Sequence, residues 1–148
     1  MQIYQASLHY TLVSLGSDDP LRTAPAFAEF MTGAFADCLE VESLWLISMN
    51  PTGRAIARTL LRTGPCAAVM TSARDIFRAA LHVDAHAIAV VRGEPSGSVQ
   101  LTPTDRRMQK EYATAGEYLN IRFLDYLVLS TREYLPKPLF DSWRHPAD

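Results

Sequence analysis

The chain has 148 residues, with 14 Lys and Arg against 16 Asp and Glu, so its formal net charge is −2 and its pI is about 6.1. We expect a single domain over residues 1–148, since this length suits one sizeable core. The near-neutral charge gives no support to a dedicated nucleic-acid binder, which usually shows a basic excess. The densest basic run, residues 105–110, is interpreted as the solvated face of a helix.

The cysteines and the apolar runs indicate where in the cell the protein is expected. Cys38 and Cys66 lie far apart and lack ligand-like spacing, which argues against a disulfide scaffold and a zinc ribbon. The sequence contains no run of about eighteen apolar residues, and its N-terminus lacks the pattern of a signal peptide. We therefore expect a cytoplasmic protein without a membrane segment.

The predicted elements begin with a half-buried strand over residues 2–15, where apolar and polar side chains alternate loosely. Apolar residues then recur at helical spacing over residues 24–39, which predicts the first helix. The apolar run 44–49, the turn Asn50-Pro51-Thr52-Gly53 and residues 54–63 predict a β-hairpin.

The second half of the chain continues this alternation. A capping-box pattern, Ser72-Ala73-Arg74-Asp75, predicts the start of a second helix. Residues 87–91 predict a buried central strand followed by a loop over 92–101, and Thr102-Pro103-Thr104-Asp105 predicts a third helix to about residue 119. Residues 121–129 predict another strand, and residues 134–148 an irregular tail. This order predicts an α/β (α+β) fold with a mixed sheet covered by helices in three layers.

Four stretches carry a pattern that goes beyond element type. They are GPCAAVMTSARDIFRAAL at residues 64–81, AIAVV at 87–91, PSG at 95–97 and LDYLV at 124–128. Together they resemble the RadC-like branch of the JAB/MPN domain family, from about residue 24 to residue 130. The resemblance implies the three-layer JAB/MPN architecture, which is similar to that of cytidine deaminases.

Active members of this family carry a zinc-hydrolase motif of an upstream Glu, then His, any residue, His and Pro, with a Ser and an Asp farther on. In them the two His and the Asp bind zinc, the Glu is the general base, and the Ser helps to hold the oxyanion. The resemblance places on the motif Glu42 as the base, Pro95 as the Pro, Thr102 as the Ser and Asp105 as the Asp. Arg92 and Glu94 stand where the two His would be.

This departure from the motif leaves one of the three protein ligands that a catalytic zinc site needs. Arg92 also brings a permanent positive charge to the expected metal position. We therefore predict that zinc is absent and that an ion-pair network of Arg92 with Glu42, Glu94 and Asp105 replaces it. The alternative is Mg²⁺ or Mn²⁺ held by the three carboxylates with Thr102, which Arg92 also opposes.

The same residues have ordinary structural explanations. Thr102 and Asp105 satisfy a helix N-cap, and Glu42 can be an exposed residue before a strand. His82 and His86 are interpreted as surface histidines at the opposite end of the central strand. Tyr126 replaces a His common in the family phrase, and whether its hydroxyl reaches the pocket stays open.

The first functional interpretation is a non-catalytic binding or scaffold module without a cofactor, in the DNA-repair-related context that the family's name suggests. Degenerate members of the wider family commonly pair with active copies, so a protein partner or self-association is expected. The second interpretation is a hydrolase of peptide or nucleic-acid bonds that uses a non-zinc metal. Activity that follows added Mn²⁺ and is lost in Asp105→Ala would favour the second.

Overall fold

A computed structural model describes residues 1–7, 18–65, 71–132 and 140–146. In these ranges the elements are α1 (Ala24–Phe30), β1 (Glu42–Met49), β2 (Ala55–Gly64), α2 (Ala73–His82), β3 (Ala87–Glu94), α3 (Pro103–Leu119), β4 (Arg122–Ser130) and β5 (Phe140–Arg144). The strands form one mixed sheet in the order β2-β1-β3-β4-β5. β3 and β4 run parallel, and the other neighbouring pairs of this sheet run antiparallel.

The central strands are apolar on both faces, which is why helices cover both sides of the sheet. Side chains alternate along each strand, so neighbouring residues enter different cores. Ala89 and Val91 of β3 pack with α1 in a first core, whereas Ile88 and Val90 pack with α2 and α3 in a second core. The predicted three-layer arrangement of a mixed sheet between helices is confirmed.

The β1–β2 hairpin is also confirmed. The Asn50 side-chain oxygen accepts hydrogen bonds from the backbone N–H groups of Thr52 and Arg54, each at 3.0 Å. Gly53 has a φ of +83°, a conformation that favours glycine. The turn chemistry read from the sequence is therefore the chemistry that closes the hairpin.

The predicted starts of α2 and α3 are confirmed by their caps. The Ser72 hydroxyl accepts from the Asp75 backbone N–H at 3.4 Å, and the Thr102 hydroxyl accepts from that of Asp105 at 3.1 Å. At α3 the Asp105 carboxylate accepts in return from the Thr102 backbone N–H at 2.8 Å, which completes a capping box.

The first predicted helix is too long. α1 ends at Phe30, and residues 31–38 form successive turns whose N–H groups reach back three residues, as from Ala34 to Met31 and from Cys38 to Phe35. Gly33, with a φ of +81°, cannot continue a right-handed helix. Phe35 and Cys38 are nonetheless buried in the first core. The apolar spacing therefore identified buried residues correctly, but its prediction of a helix beyond Phe30 was wrong.

Two further boundaries differ from the prediction. Arg92 and Glu94, expected in a loop, belong to β3, because this strand stays paired with β4 up to Glu94. The tail expected to be irregular contains β5, which pairs antiparallel with β4.

Several predictions fall wholly or partly on residues outside the described ranges. These are the strand over 2–15 from residue 8 onward, Cys66, and the tail at residues 134–139 and 147–148. Residues 2–7, which are described, are exposed and form no strand. None of the helices in the described ranges combines the length and the apolarity that a membrane crossing requires.

Candidate functional site

The candidate site lies where the carboxyl end of β3 meets the start of α3. Arg92 lies two residues before the end of β3. Its side chain is on the same face as that of Val90, so it enters the second core below α3. Only 2% of Arg92 is exposed, so its guanidinium has lost nearly all its hydration. A charge buried to this degree requires partners.

The partners of Arg92 are mainly carboxylates. Its Nε and Nη2 donate to the two oxygens of Asp105 at 3.0 and 2.9 Å, which makes a bidentate pair. Its Nη1 donates to Glu94 Oε2 at 2.8 Å and lies 3.8 Å from Glu42 Oε1. Its Nη2 also donates to the Gln100 carbonyl at 3.4 Å. We call Arg92, Glu42, Glu94 and Asp105 the Arg92 network.

Asp105 is the most fully bonded carboxylate of this network. Besides Arg92, it accepts from the Thr102 hydroxyl at 2.9 Å and from the Tyr126 hydroxyl at 2.7 Å. Burial alone would raise the pKa of Asp105, but the hydrogen bonds from Arg92, Thr102 and Tyr126 and the charge of Arg92 outweigh it and lower that pKa. Asp105 is thus held as a carboxylate.

Tyr126 stays a donor for a related reason. Burial and the neighbouring Asp105 carboxylate raise the pKa of the Tyr126 hydroxyl well above its usual value, so the hydroxyl keeps its proton. The sequence left this contact open. Alternation along β4 places Tyr126 in the second core, on the same face of the sheet as Arg92, and that was the available signal.

Glu42 and Glu94 lie on neighbouring antiparallel strands at the rim of the network. Ser43 pairs with Gly93, so Glu42 comes opposite Glu94. Burial would raise the pKa of Glu94, but hydrogen bonds from Ser96, Glu42 and Arg92 lower it overall. Glu94 is thus held as a carboxylate beside Arg92.

The loop after β3 is fastened to this rim. The Ser96 backbone N–H donates to Glu94 Oε1 at 3.1 Å, and Arg132 Nε donates to the Pro95 carbonyl at 3.2 Å. With the Gln100 carbonyl bound to Arg92, the loop has contacts at both ends. The loop is therefore positioned by the Arg92 network and its neighbours.

The remaining predicted residues lie outside the network. His82 and His86 are exposed and precede β3, at the end of the strand opposite Arg92. Arg106, Arg107 and Lys110 are exposed on α3, as expected of a solvated helix face. In the described part of the chain, no group of three or more His, Cys, Asp or Glu residues is arranged to hold a metal ion.

A second buried carboxylate, Asp125, was not singled out by the sequence. It pairs with Ala89 across β4 and β3, next to an irregularity in the register that leaves Leu124 unpaired. One oxygen of Asp125 accepts from the Tyr126 backbone N–H at 2.8 Å, and the other has no hydrogen-bond partner among the described residues. Burial raises the pKa of Asp125 to about 7.

The chain has a mixed sheet between helix layers. The motif positions on β1, β3 and α3 meet where β1 begins and β3 ends, and this arrangement defines a JAB/MPN-type domain. The model of the RadC-like JAB domain family matches residues 21–136 of the chain. The protein therefore belongs to the RadC-like JAB domain family.

Its relatives include proteins named UPF0758 from several bacteria. The one from Chlorobium chlorochromatii is 29% identical over 127 residues, covering 86% of this chain and 55% of the relative. The one from Finegoldia magna is 25% identical over 129 residues, covering 87% and 56%, respectively. The one from Thermotoga maritima is 29% identical over 96 residues, covering 65% and 43%. The chain spans about half the length of the curated relatives it matches.

Proposed function

We propose that this RadC-like JAB domain is a non-catalytic binding or scaffold module, in which the Arg92 network occupies the place of the family's zinc centre. The observation that carries the proposal is the bidentate pair between Arg92 and Asp105, at 3.0 and 2.9 Å. The proposal includes a protein partner or self-association, in the DNA-repair-related context that the family's name suggests.

The residues at the motif positions do not fit zinc. Zinc in a catalytic site takes neutral imidazoles and keeps one position open for water. Here a guanidinium, which cannot lose its proton in a protein, donates to both oxygens of Asp105 and to Glu94. The oxygens that would face a cation are therefore directed at Arg92, and a metal ion at this position would meet a fixed positive charge.

The remaining carboxylates also suit a structural role. Asp105 caps α3 through Thr102, and Glu94 holds the Ser96 backbone N–H. Each group therefore has a contact that stabilises the fold without any reaction. The carboxylate at the base position, Glu42, faces the Arg92 guanidinium at 3.8 Å, and a neighbouring cation disfavours the uptake of a proton that a general base requires.

Metal analysis of the wild type and of the double variant Arg92→His/Glu94→His tests this proposal. We expect no stoichiometric metal in the wild type, whether it is purified as such or equilibrated with Zn²⁺ or Mn²⁺. The double variant restores two imidazoles beside Asp105 and is expected to take up about one zinc per chain.

Stoichiometric zinc in the wild type would contradict the proposal. So would Mn²⁺-dependent hydrolysis of peptide or nucleic-acid substrates that is lost in Asp105→Ala, since this result would establish the hydrolase alternative. Sedimentation of the wild type at increasing concentration separates self-association from a requirement for another protein.

A further inference from the structure

An open apolar groove lies between α2 and α3, away from the Arg92 network. Its volume is about 460 Å³, within the usual range of ligand-binding pockets. Phe77 lines its buried part, and Ala115 contributes from α3. Leu81 and Leu119 line it while 55% and 44% exposed, so two large apolar side chains meet water at the same place.

The rim of the groove is basic. Arg74 and Arg78 lie one helical turn apart on α2 and are both exposed. Asp75 contacts Arg78 at 3.6 Å, but this pair is solvated and contributes little. The described residues that line the groove include no carboxylate. A positive rim around an apolar groove therefore stands out on a chain whose net charge is −2.

The length of the groove indicates what can fill it. α2 has 10 residues, which corresponds to about 15 Å of helix axis. Two or three side chains from successive turns of another helix would extend over a similar distance. Helix-in-groove recognition works in this way, with anchors at i, i+4 and i+7 entering an apolar groove.

We infer that this groove docks an amphipathic helix of a partner protein, with its apolar side chains between α2 and α3 and its acidic side chains against Arg74 and Arg78. The inference rests on the proposed binding role and assigns a surface and a partner chemistry to it. A nucleic acid fits this surface less well, because its phosphates would contact the arginines but leave the apolar side chains of Leu81 and Leu119 exposed to solvent.

The probe for this inference is a fluorescently labelled synthetic peptide of about 16 residues, long enough to become helical when bound. It carries leucines along one face with glutamates beside them, and the matched probe has lysine in place of every glutamate. Fluorescence anisotropy with the wild type should show binding of the glutamate peptide that is at least about tenfold tighter than that of the lysine peptide.

Three variants of exposed residues, each checked by circular dichroism, identify the surface. Leu81→Ser should weaken the glutamate peptide about tenfold. Arg74→Glu/Arg78→Glu should reverse the preference, so that the lysine peptide binds more tightly. The control Arg106→Glu/Arg107→Glu makes the same charge change on α3 outside the groove and should keep the wild-type preference.

Absence of binding by either peptide would overturn the inference, and so would equal binding of both or an unchanged preference in Arg74→Glu/Arg78→Glu. Binding of a single-stranded oligonucleotide that is lost in this arginine variant but kept in Leu81→Ser would assign the surface to nucleic acid instead. Because the peptide assay needs no metal, its failure is distinct from stoichiometric zinc in the wild type, which would overturn the non-catalytic proposal alone.

Discussion

Asp105 and Asp125 are both fully buried, yet burial has opposite outcomes for their charge. The pKa of Asp105 is lowered, whereas the pKa of Asp125 is raised to about 7. They lie on opposite faces of the same sheet, Asp105 beside the second core and Asp125 opposite Ala89 of the first core. The difference therefore comes from their partners and not from their depth.

The partners explain the contrast. Asp105 receives a bidentate guanidinium, two contacts from Thr102 and the hydroxyl of Tyr126. For Asp125, burial dominates over the backbone N–H groups of Tyr126 and Trp143 and over the more distant charge of Arg144. A buried carboxylate stays ionised only where a cation and directed donors replace its lost hydration. In this chain Arg92 is that cation.

Arg92→Leu breaks the comparison most strongly, because it places Asp105 in the situation of Asp125. We expect a loss of about 3–5 kcal/mol in the free energy of unfolding at neutral pH, since Glu94 and Asp105 become uncompensated buried charges. The loss should shrink as the pH falls from neutral towards the lowered pKa of wild-type Asp105, because the buried carboxyl groups of the variant take up protons first and then no longer need a cation. Urea unfolding at pH 7 and at pH 4 measures both effects.

Arg92→Lys is the matched control. It keeps the charge but loses the planar fork that binds both Asp105 oxygens, so its stability should fall between those of the wild type and the leucine variant. A small loss in Arg92→Leu that is independent of pH would show that the network does not need its cation.

Asp125→Asn removes the other side of the comparison. In the wild type, the folded pKa of Asp125, about 7, lies above the ordinary aspartate value of 3.8. The unfolded chain therefore ionises first, and wild-type stability falls as the pH rises between these values. The slope from this one group is about 1.4 kcal/mol per pH unit. We expect Asp125→Asn to lack this loss, so that its stability relative to the wild type increases from pH 4 to pH 8 in thermal or urea unfolding.

The control for Asp125→Asn is Asp37→Asn, which removes the same charge from an exposed position. The two variants should differ in the pH dependence of their stability and not only in its size. Parallel stability curves for the wild type and Asp125→Asn would mean that Asp125 ionises inside the fold at little cost.

Tyr126→Phe sharpens the comparison with the smallest change. It removes the hydroxyl that donates to Asp105 at 2.7 Å and keeps the ring that stacks on Tyr112 at 6.4 Å. We expect a loss of about 1–2 kcal/mol at neutral pH. The pKa of Asp105 should be lowered less, so acid unfolding should begin at a higher pH than in the wild type.

Tyr112→Phe is the control for this effect. It removes a hydroxyl that donates to the Thr71 carbonyl at 2.6 Å, a neutral acceptor. It should therefore reduce stability without moving the onset of acid unfolding. Equal onsets in the two variants would show that the Tyr126 hydroxyl does not stabilise the Asp105 carboxylate.

Local chemistry made part of this structure readable from the sequence. The Asn50 turn and the Thr102 cap depend on contacts within four residues of each other, and both were predicted. Gly33 was not recognised as the reason for α1 to end early, because glycine is also tolerated inside helices and the sequence does not give the sign of its φ.

Long-range pairing explains what the sequence did not reveal. β5 is a short strand whose partner, β4, is separated from it in sequence, and its own residues alternate weakly. The reach of Tyr126 to Asp105 depends on how α3 lies across β4, and the burial of Asp125 depends on the irregularity at Leu124. Alternation along β4 indicates the face on which Tyr126 lies but not its contact with Asp105, and the irregularity at Leu124 has no local sequence signal, whereas the placement of Arg92 on the motif had one.

The capping box of α3 has one more consequence. Helix ends usually fray, and their first amide hydrogens exchange with solvent through small local openings. At α3 the capping carboxylate also binds Arg92, so unwinding the first turn would remove the bidentate partner of a buried guanidinium. We therefore expect the first amides of α3 to exchange with solvent more slowly than those at an ordinary helix start, which hydrogen exchange would measure.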